Sequence, residues 1–167
     1  MIQIYTGDGK GKTTASLGLA IRAAGAGKKV YIAQFIKGKE CSELNVLEKI
    51  KNIKLEQFGS GCFIKGKPKR EDIEAAGAGL KKIKNIVEKN KFDVIILDEI
   101  NVAMNLRLLG CQDVLKLLKN TPKGVELVLT GRNAPREILR SADLVSCIKE
   151  IKHYFKAGLK ARKGIEY

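Results

Sequence analysis

Tryptophan is absent from this chain of 167 residues, histidine occurs once and proline three times. Aromatic residues make up only 5%, too few for the stacking platforms on which single-stranded nucleic acid is held. No apolar run approaches the roughly 20 residues of a membrane-spanning helix. Met1 leads straight into Ile2, Gln3, Ile4 and Tyr5, without the charged and apolar regions of a signal peptide. Cys41, Cys62, Cys111 and Cys147 lie far apart and form no CxxC pair. That excludes a zinc knuckle and reads as reduced thiols of a cytoplasmic protein. Acids are scarce as well: 18 against 32 basic residues gives a net charge of +14. This charge points to an acidic partner or to a lysine-rich bias of composition. Only seven of the basic residues are arginine, the better reader of bases.

What is present is globular: 44% apolar and 30% charged residues in a length that suits one domain, residues 1–167. Short apolar runs alternate with helical patterns. Residues 2–5, 29–35, 53–58, 92–98, 125–130 and 144–148 read as strands. Residues 13–24 form a small-residue helical pattern closed by Gly25, Gly27 and two lysines. Residues 42–51 suggest a short helix capped by Ser42. Ile73, Ala76, Leu80, Ile83 and Val87 recur at spacings of 3, 4, 3 and 4, one face of a long helix. Helical pieces run on to Leu118 with a break at Gly110, and residues 135–141 form a short helix with Pro135 in its first turn. Residues 92–98 are a continuous apolar run ending in an acid, the pattern of a central strand buried on both faces. The alternation predicts an α/β fold, a parallel sheet with helices on both faces. Residues 65–70 read as a solvated basic loop.

The strongest chemical signal is Gly7, Asp8, Gly9, Lys10, Gly11, Lys12, Thr13 and Thr14, directly after a strand and opening a helix. Glycines let successive N–H groups turn inward, the helix N-terminus adds a positive field, Lys12 supplies a charge for phosphate oxygens and Thr13 a hydroxyl for Mg²⁺. The match to G-x-x-x-x-G-K-[ST] is imperfect, since the first glycine position holds Thr6. Asp98 and Glu99, at the end of an apolar strand, fit the acids that support Mg²⁺ in P-loop proteins. Each has a plainer reading: Asp98 as a helix N-cap, Glu99 as a first-turn acid. Arg132, at the end of another strand, is either a phosphate clamp or a surface arginine. Arg22 is open between salt bridge and ligand contact, and His153 between general base and packing.

The set of motifs is more specific than the loop. TGDGKGKTT at 6–14, AAGAGKK at 23–29, QFIKG at 34–38, LDEI at 97–100, LTGRNAP at 129–135, Ala142 with Asp143, Lys152 with His153, and GIEY at 164–167 span nearly the whole chain. Together they resemble the P-loop type of corrinoid adenosyltransferase. The resemblance implies a P-loop NTPase-like (RecA-like) sheet and a reaction in which reduced Co(I) of a corrinoid attacks the 5′ carbon of ATP, releasing triphosphate. It implies ATP and Mg²⁺ at Gly7, Asp8, Gly9, Lys10, Gly11, Lys12, Thr13, Thr14, Arg22 and Arg132. The metal would lie at Thr13, Asp98 and Glu99, with Lys12, Thr13 and Glu99 in catalytic roles. Asp8 stands where relatives often carry Asn, near the ribose. The family holds ATP in reverse along its loop, which agrees with the altered entrance at Thr6. Relatives of the enterobacterial kind carry Gly-Phe-Thr-Trp after the third strand. Here the loop reads Gly61, Cys62, Phe63 and Ile64, so Cys62, Phe63 and Ile64 are the expected corrinoid-facing residues. The resemblance also implies a homodimer, and the positive charge suggests docking of an acidic flavoprotein reductant, with neither nucleic acid nor membrane as partner. The alternative from another class is a P-loop ATPase or small-molecule kinase, with Glu99 activating water or the acceptor; a basic nucleic-acid module is the third.

Overall fold

The computed structural model describes residues 1–167 except 39, 40, 62, 63, 65 and 167, and only the backbone of residue 60. Six strands, β1 (Ile2–Thr6), β2 (Val30–Lys37), β3 (Ile53–Gly61), β4 (Val94–Asp98), β5 (Glu126–Thr130) and β6 (Leu144–Cys147), form one sheet in the order β3-β2-β4-β5-β1-β6. All five strand pairings are parallel. Between the strands run α1 (Lys12–Gly25), α2 (Leu44–Leu47), α3 (Arg70–Lys89), α4 (Ile100–Asn105), α5 (Cys111–Asn120) and α6 (Arg136–Arg140), and a 3-10 turn, Tyr154–Ala157, follows β6. No helix among the described residues is long and apolar enough to cross a membrane.

Strand periodicity divides the core in two. Tyr31, Ala33, Phe35, Ile95, Leu97, Leu127 and Leu129 face one side of the sheet, where they pack with Ala76, Leu80, Ile83 and Val87 of α3 and Val114 and Leu117 of α5. The alternate residues Val30, Ile32, Val94, Ile96 and Val128 face the other side, against Ala20 and Ala23 of α1 and Leu47 of α2. Helices therefore cover both faces, as the continuous apolar runs require. α1 is built from small residues, so its backbone can approach the sheet closely. β5 stands between β1 and β4. Its insertion separates the strand that feeds the glycine loop from the strand that ends in Asp98, and leaves a crevice at their carboxyl ends where ligands of open α/β sheets bind.

Two sequence expectations need correction. Ile73 is 47% exposed, and the inner face of α3 starts instead at Asp72. The Asp72 carboxylate accepts the Lys69 backbone N–H at 2.9 Å, a capping contact that takes an acid inward in the first turn. The helix expected over 42–51 contracts to Leu44–Leu47, preceded by Glu43 rather than capped by Ser42. Glu43 is drawn instead toward Lys37, its Oε1 lying 3.6 Å from Nζ.

β2 is irregular at its end. Phe35 stands beside Phe58 but Lys37 beside Gly61, so the register slips between them. Ile36 takes a left-handed φ of 69°, unusual for a β-branched residue. A Cβ at Gly38 would lie 2.1 Å from the Gly59 carbonyl oxygen, and one at Gly59 would lie 2.3 Å from that of Ile36. Backbone blocks both, with no side chain able to swing away. Gly59→Ala is therefore expected to destabilise the protein by about 2–4 kcal/mol, measured by denaturant unfolding. A change within 0.5 kcal/mol, the order of a neutral surface substitution, would refute the close contact.

Candidate nucleotide site

The glycine loop leaves β1 at Thr6 and enters α1 at Lys12. Its first half is clasped by the chain after β6. The Ile148 N–H donates to the Thr6 carbonyl at 2.8 Å, and the Gly9 N–H donates to the Ile148 carbonyl at 2.8 Å. Gly7 has φ 97°, and a Cβ there would meet the Ile148 oxygen at 2.4 Å. The entrance at Thr6 is thus an ordinary strand end with a neighbour, and one loop amide is already bonded to protein.

Lys12 is buried and folds back into its own loop. Its Nζ donates to the Gly7 and Gly9 carbonyls at 2.8 and 2.7 Å. Burial, reinforced by the Arg132 charge, holds its pKa below the ordinary lysine value. Arg132 reaches the same loop from the end of β5, its Nη2 donating to the Asp8 carbonyl at 3.0 Å. Arg132 is exposed and stands beside the loop, a place that suits either of the two readings left open for it.

At the start of α1, Thr13 Oγ1 donates to Asp98 Oδ1 at 2.9 Å. Asp98 is fully buried. The same Oδ1 accepts the Thr130 hydroxyl at 2.7 Å, while Oδ2 accepts Lys37 Nζ at 3.1 Å and Gln34 Nε2 at 3.4 Å. Thr130 Oγ1 in turn accepts the Glu99 backbone N–H at 3.0 Å. Asp98 is consequently not the N-cap of α4. That place falls to Glu99, in a left-handed conformation with φ 61° and without a side-chain cap. Non-glycine residues in this conformation concentrate at functional sites. Burial first, and the Asp98 charge second, push the Glu99 pKa up, against the opposing pull of Lys37, Lys12 and Arg132.

The remaining sequence candidates fall in three groups. Thr14 is exposed on the first turn of α1, beside Thr13. Lys10 is at the loop, but its Nζ is held by the C-terminal tail, donating to the Ile165 carbonyl at 2.6 Å and to Glu166 Oε1 at 2.9 Å. Arg22 is not brought to the loop: it lies exposed in the last turn of α1, about 15 Å from Lys12 along the helix axis. A cation there suits the negative end of the helix. His153 begins the 3-10 turn, its Nδ1 accepting the Phe155 N–H at 3.1 Å, which is a capping role. Among the corrinoid-facing candidates, Cys62 and Phe63 lie outside the described residues, and Ile64 packs half-buried against the α3 side of the core.

Sequence reading passed over Lys37, Gln34 and Thr130. Gln34 had a signal, a polar residue in the middle of an apolar strand. Lys37 lay within the QFIKG motif, but no periodicity signalled that the irregular end of β2 turns it inward.

A cleft of about 330 Å³ opens beside the loop, lined by Gly9, Lys10, Lys149, His153 and Tyr154 among others. The tail borders it. The Glu166 carboxylate accepts the Tyr154 hydroxyl and Lys10, and Arg162 lies 4.9 Å from the Tyr154 ring centre. The Tyr154 and Lys10 hydrogen bonds hold the Glu166 pKa well below the ordinary carboxylate range. A depressed carboxylate pKa contributes stability above its unfolded value and loses it as pH falls through the folded value. The tail is therefore expected to stay docked at neutral pH and to loosen on strong acidification, measured by proton exchange or limited proteolysis. Glu166→Gln should show the loosened tail already at pH 7; a tail equally protected in that variant would contradict the clamp.

Residues 1–167 match the family described as ATP:corrinoid adenosyltransferase BtuR/CobO/CobP. The corrinoid adenosyltransferase of Escherichia coli (strain K12) is 36% identical over 168 residues, covering 100% of this chain and 85% of the relative. The corrinoid adenosyltransferase CobA of Salmonella typhimurium (strain LT2) is likewise 36% identical, with the same coverage. That of Sinorhizobium sp is 33% identical over 171 residues, covering 100% of this chain and 80% of the relative.

Proposed function

This chain belongs to the ATP:corrinoid adenosyltransferase family, and on that premise we propose that its glycine loop and Asp98 hold the polyphosphate of ATP while a reduced corrinoid takes the adenosyl group. The chain is a transferase acting on ATP and a corrinoid. In the proposed reaction Co(I) attacks the ribose 5′ carbon, a cobalt–carbon bond forms, and the bond from C5′ to the triphosphate oxygen breaks. The electron pair of that bond leaves with the triphosphate. Co(I) is itself the nucleophile, so the protein has two tasks: to align cobalt with carbon and to stabilise charge gathering on the leaving group.

The observation that carries this reading is the 2.9 Å contact between Thr13 and Asp98. It joins the opening of α1 to the end of β4, beside a loop that carries Lys12 and is reached by Arg132. Mg²⁺ fits these residues. The donors are all hard oxygens, and Mg²⁺ takes one or two carboxylates plus phosphates rather than a full protein cage. Among the described residues no group of three or more acids, histidines and cysteines is built to hold a metal by itself. Thr13 and Asp98 would hold the ion, with Glu99 in its outer shell, and it would neutralise part of the triphosphate charge. Lys12 would leave the Gly7 and Gly9 carbonyls for phosphate oxygens, and Lys10 would do the same from the tail. Arg132 would remain at the loop edge. Cys62, Phe63 and Ile64 are proposed to face the corrinoid, and the lysine-rich surface to receive an acidic flavoprotein that supplies the electron. In that case raised salt slows flavoprotein-driven turnover and leaves chemically reduced turnover unchanged.

The deciding experiment supplies ATP, Mg²⁺ and chemically reduced corrinoid, then identifies the products. Triphosphate together with an alkyl-cobalt absorbance spectrum is expected. ADP or phosphate formed without dependence on corrinoid would instead support an ATPase or kinase. Lys12→Ala is expected to lower kcat/KM by about a hundredfold or more, the scale for loss of one charge-stabilising group; full retention would remove Lys12 from the site.

A further inference from the structure

Lys37 occupies a position that a regular strand would not give it. Side chains alternate along a strand, so residues three apart point to opposite faces. Gln34 and Lys37 are three apart, yet both reach Asp98 Oδ2. The break lies at Ile36. Its left-handed backbone turns it into the cluster that already holds Tyr31, Ala33 and Phe35, although its place in the alternation belongs to the opposite face. A β-branched residue in this conformation is strained. The turn also needs the bare backbone contact of Gly38 with Gly59. The consequence of these local costs is one inward-turned ammonium at the acid beside the glycine loop.

The position of that ammonium is informative. Thr13 Oγ1 and Lys37 Nζ bind the two different oxygens of one carboxylate. The Lys37 charge therefore stands within a few ångströms of the hydroxyl that opens α1. Its side chain is 19% exposed and that of Asp98 not at all. Burial alone would weaken its charge, but Asp98 and then Glu43 more than offset this and raise its pKa above the ordinary lysine value.

We propose that Lys37 is a phosphate-directed cation of the nucleotide site, parked on Asp98 in the free enzyme and transferred to the polyphosphate when nucleotide enters. The proposal rests on the reading of residues 7–14 as the polyphosphate site. Thr13 and Asp98 would hold a divalent ion that comes with the nucleotide, its charge would oppose the ammonium on Asp98, and Lys37 would turn to the polyphosphate. A long, flexible stem lets lysine make this move without backbone change. Glu43, the second anion beside Nζ, keeps the charge compensated on the way.

The test is calorimetric binding of inorganic triphosphate, with Mg²⁺ and without corrinoid, to the wild type, Lys37→Met, Lys37→Arg and Lys12→Met. Losing one charged hydrogen-bond donor to phosphate should weaken binding about ten- to a hundredfold in Lys37→Met. Lys37→Arg should recover most of it. Lys37→Met binding triphosphate as tightly as wild type, or more tightly, would overturn the proposal, because Lys37 would then be a counter-ion that merely obstructs the metal position. Full triphosphate affinity in Lys12→Met would overturn the polyphosphate reading itself, and is distinguishable from failure at Lys37 alone. Melting curves report whether each variant folds. If Lys37→Met leaves Asp98 too poorly compensated to fold, Lys37→Gln, which still donates to that carboxylate without a charge, gives the same comparison.

Discussion

The buried carboxylate of Asp98 is the point at which the rest of the site is tied together. A lone ionised carboxylate in a protein interior costs several kcal/mol even after relaxation. Here its two oxygens accept four donors, from Thr13, Thr130, Lys37 and Gln34. These donors come from three separate stretches of chain: the start of α1 after β1, the end of β2, and the last residue of β5. One charge on β4 therefore fixes the relative positions of the carboxyl ends of its neighbours. The same compensation lets a strand that is otherwise wholly apolar end in an acid. Loss of any one donor leaves the others to carry a charge that cannot reach water.

The sheet makes that convergence possible. Placing β5 between β1 and β4 brings a threonine, rather than the loop, against Asp98 from the side. The loop then meets the carboxylate from above, through the first turn of α1. Gly131 follows at φ 129°, and a Cβ there would come within 3.2 Å of Glu99 Oε2. The chain after β5 thus passes tightly over the acid pair and delivers Arg132 to the loop. The helices fix the frame by a simpler rule: alternate strand residues require apolar cover on both faces, and α1 can lie close because its inner positions are small.

Much of this was legible in the sequence because it depends on local pattern. The buried strands were continuous apolar runs, the glycine loop lay between a strand and a helix, and Asp98 ended the most apolar strand. The motifs spread along the chain pointed to the family that the comparisons show. What was not legible depends on partners distant in sequence. Ser42 resembled a cap, but Glu43 is drawn to Lys37 and the helix begins later. Ile73 fitted the helical period, yet the helix is rotated so that Asp72 turns inward to accept a backbone N–H. Arg22 stood open between salt bridge and ligand contact, and it lies in the last turn of α1, away from the loop. Lys37 depended on a backbone turn at Ile36 that no composition or periodicity signals.

The cations around the loop share one property that bears on how an anion is recognised. Lys12 is bonded to two carbonyls of its own loop, Arg132 to a third, Lys10 to the tail and Lys37 to Asp98. None of these four stands as a bare charge in the free protein. Binding a phosphate chain is then an exchange of partners, and its free energy is the difference between two sets of hydrogen bonds rather than the sum of one. In the proposed site a chain of three phosphates would engage several at once, and for Lys12 and Arg132 it would replace neutral carbonyls by charged oxygens, which make the stronger bonds, whereas Lys37 and Lys10 already face carboxylates. In the proposed site, selectivity for a long polyphosphate over a short one would rest on how many of these paired cations the ligand can engage at once, before any contact with base or sugar is considered.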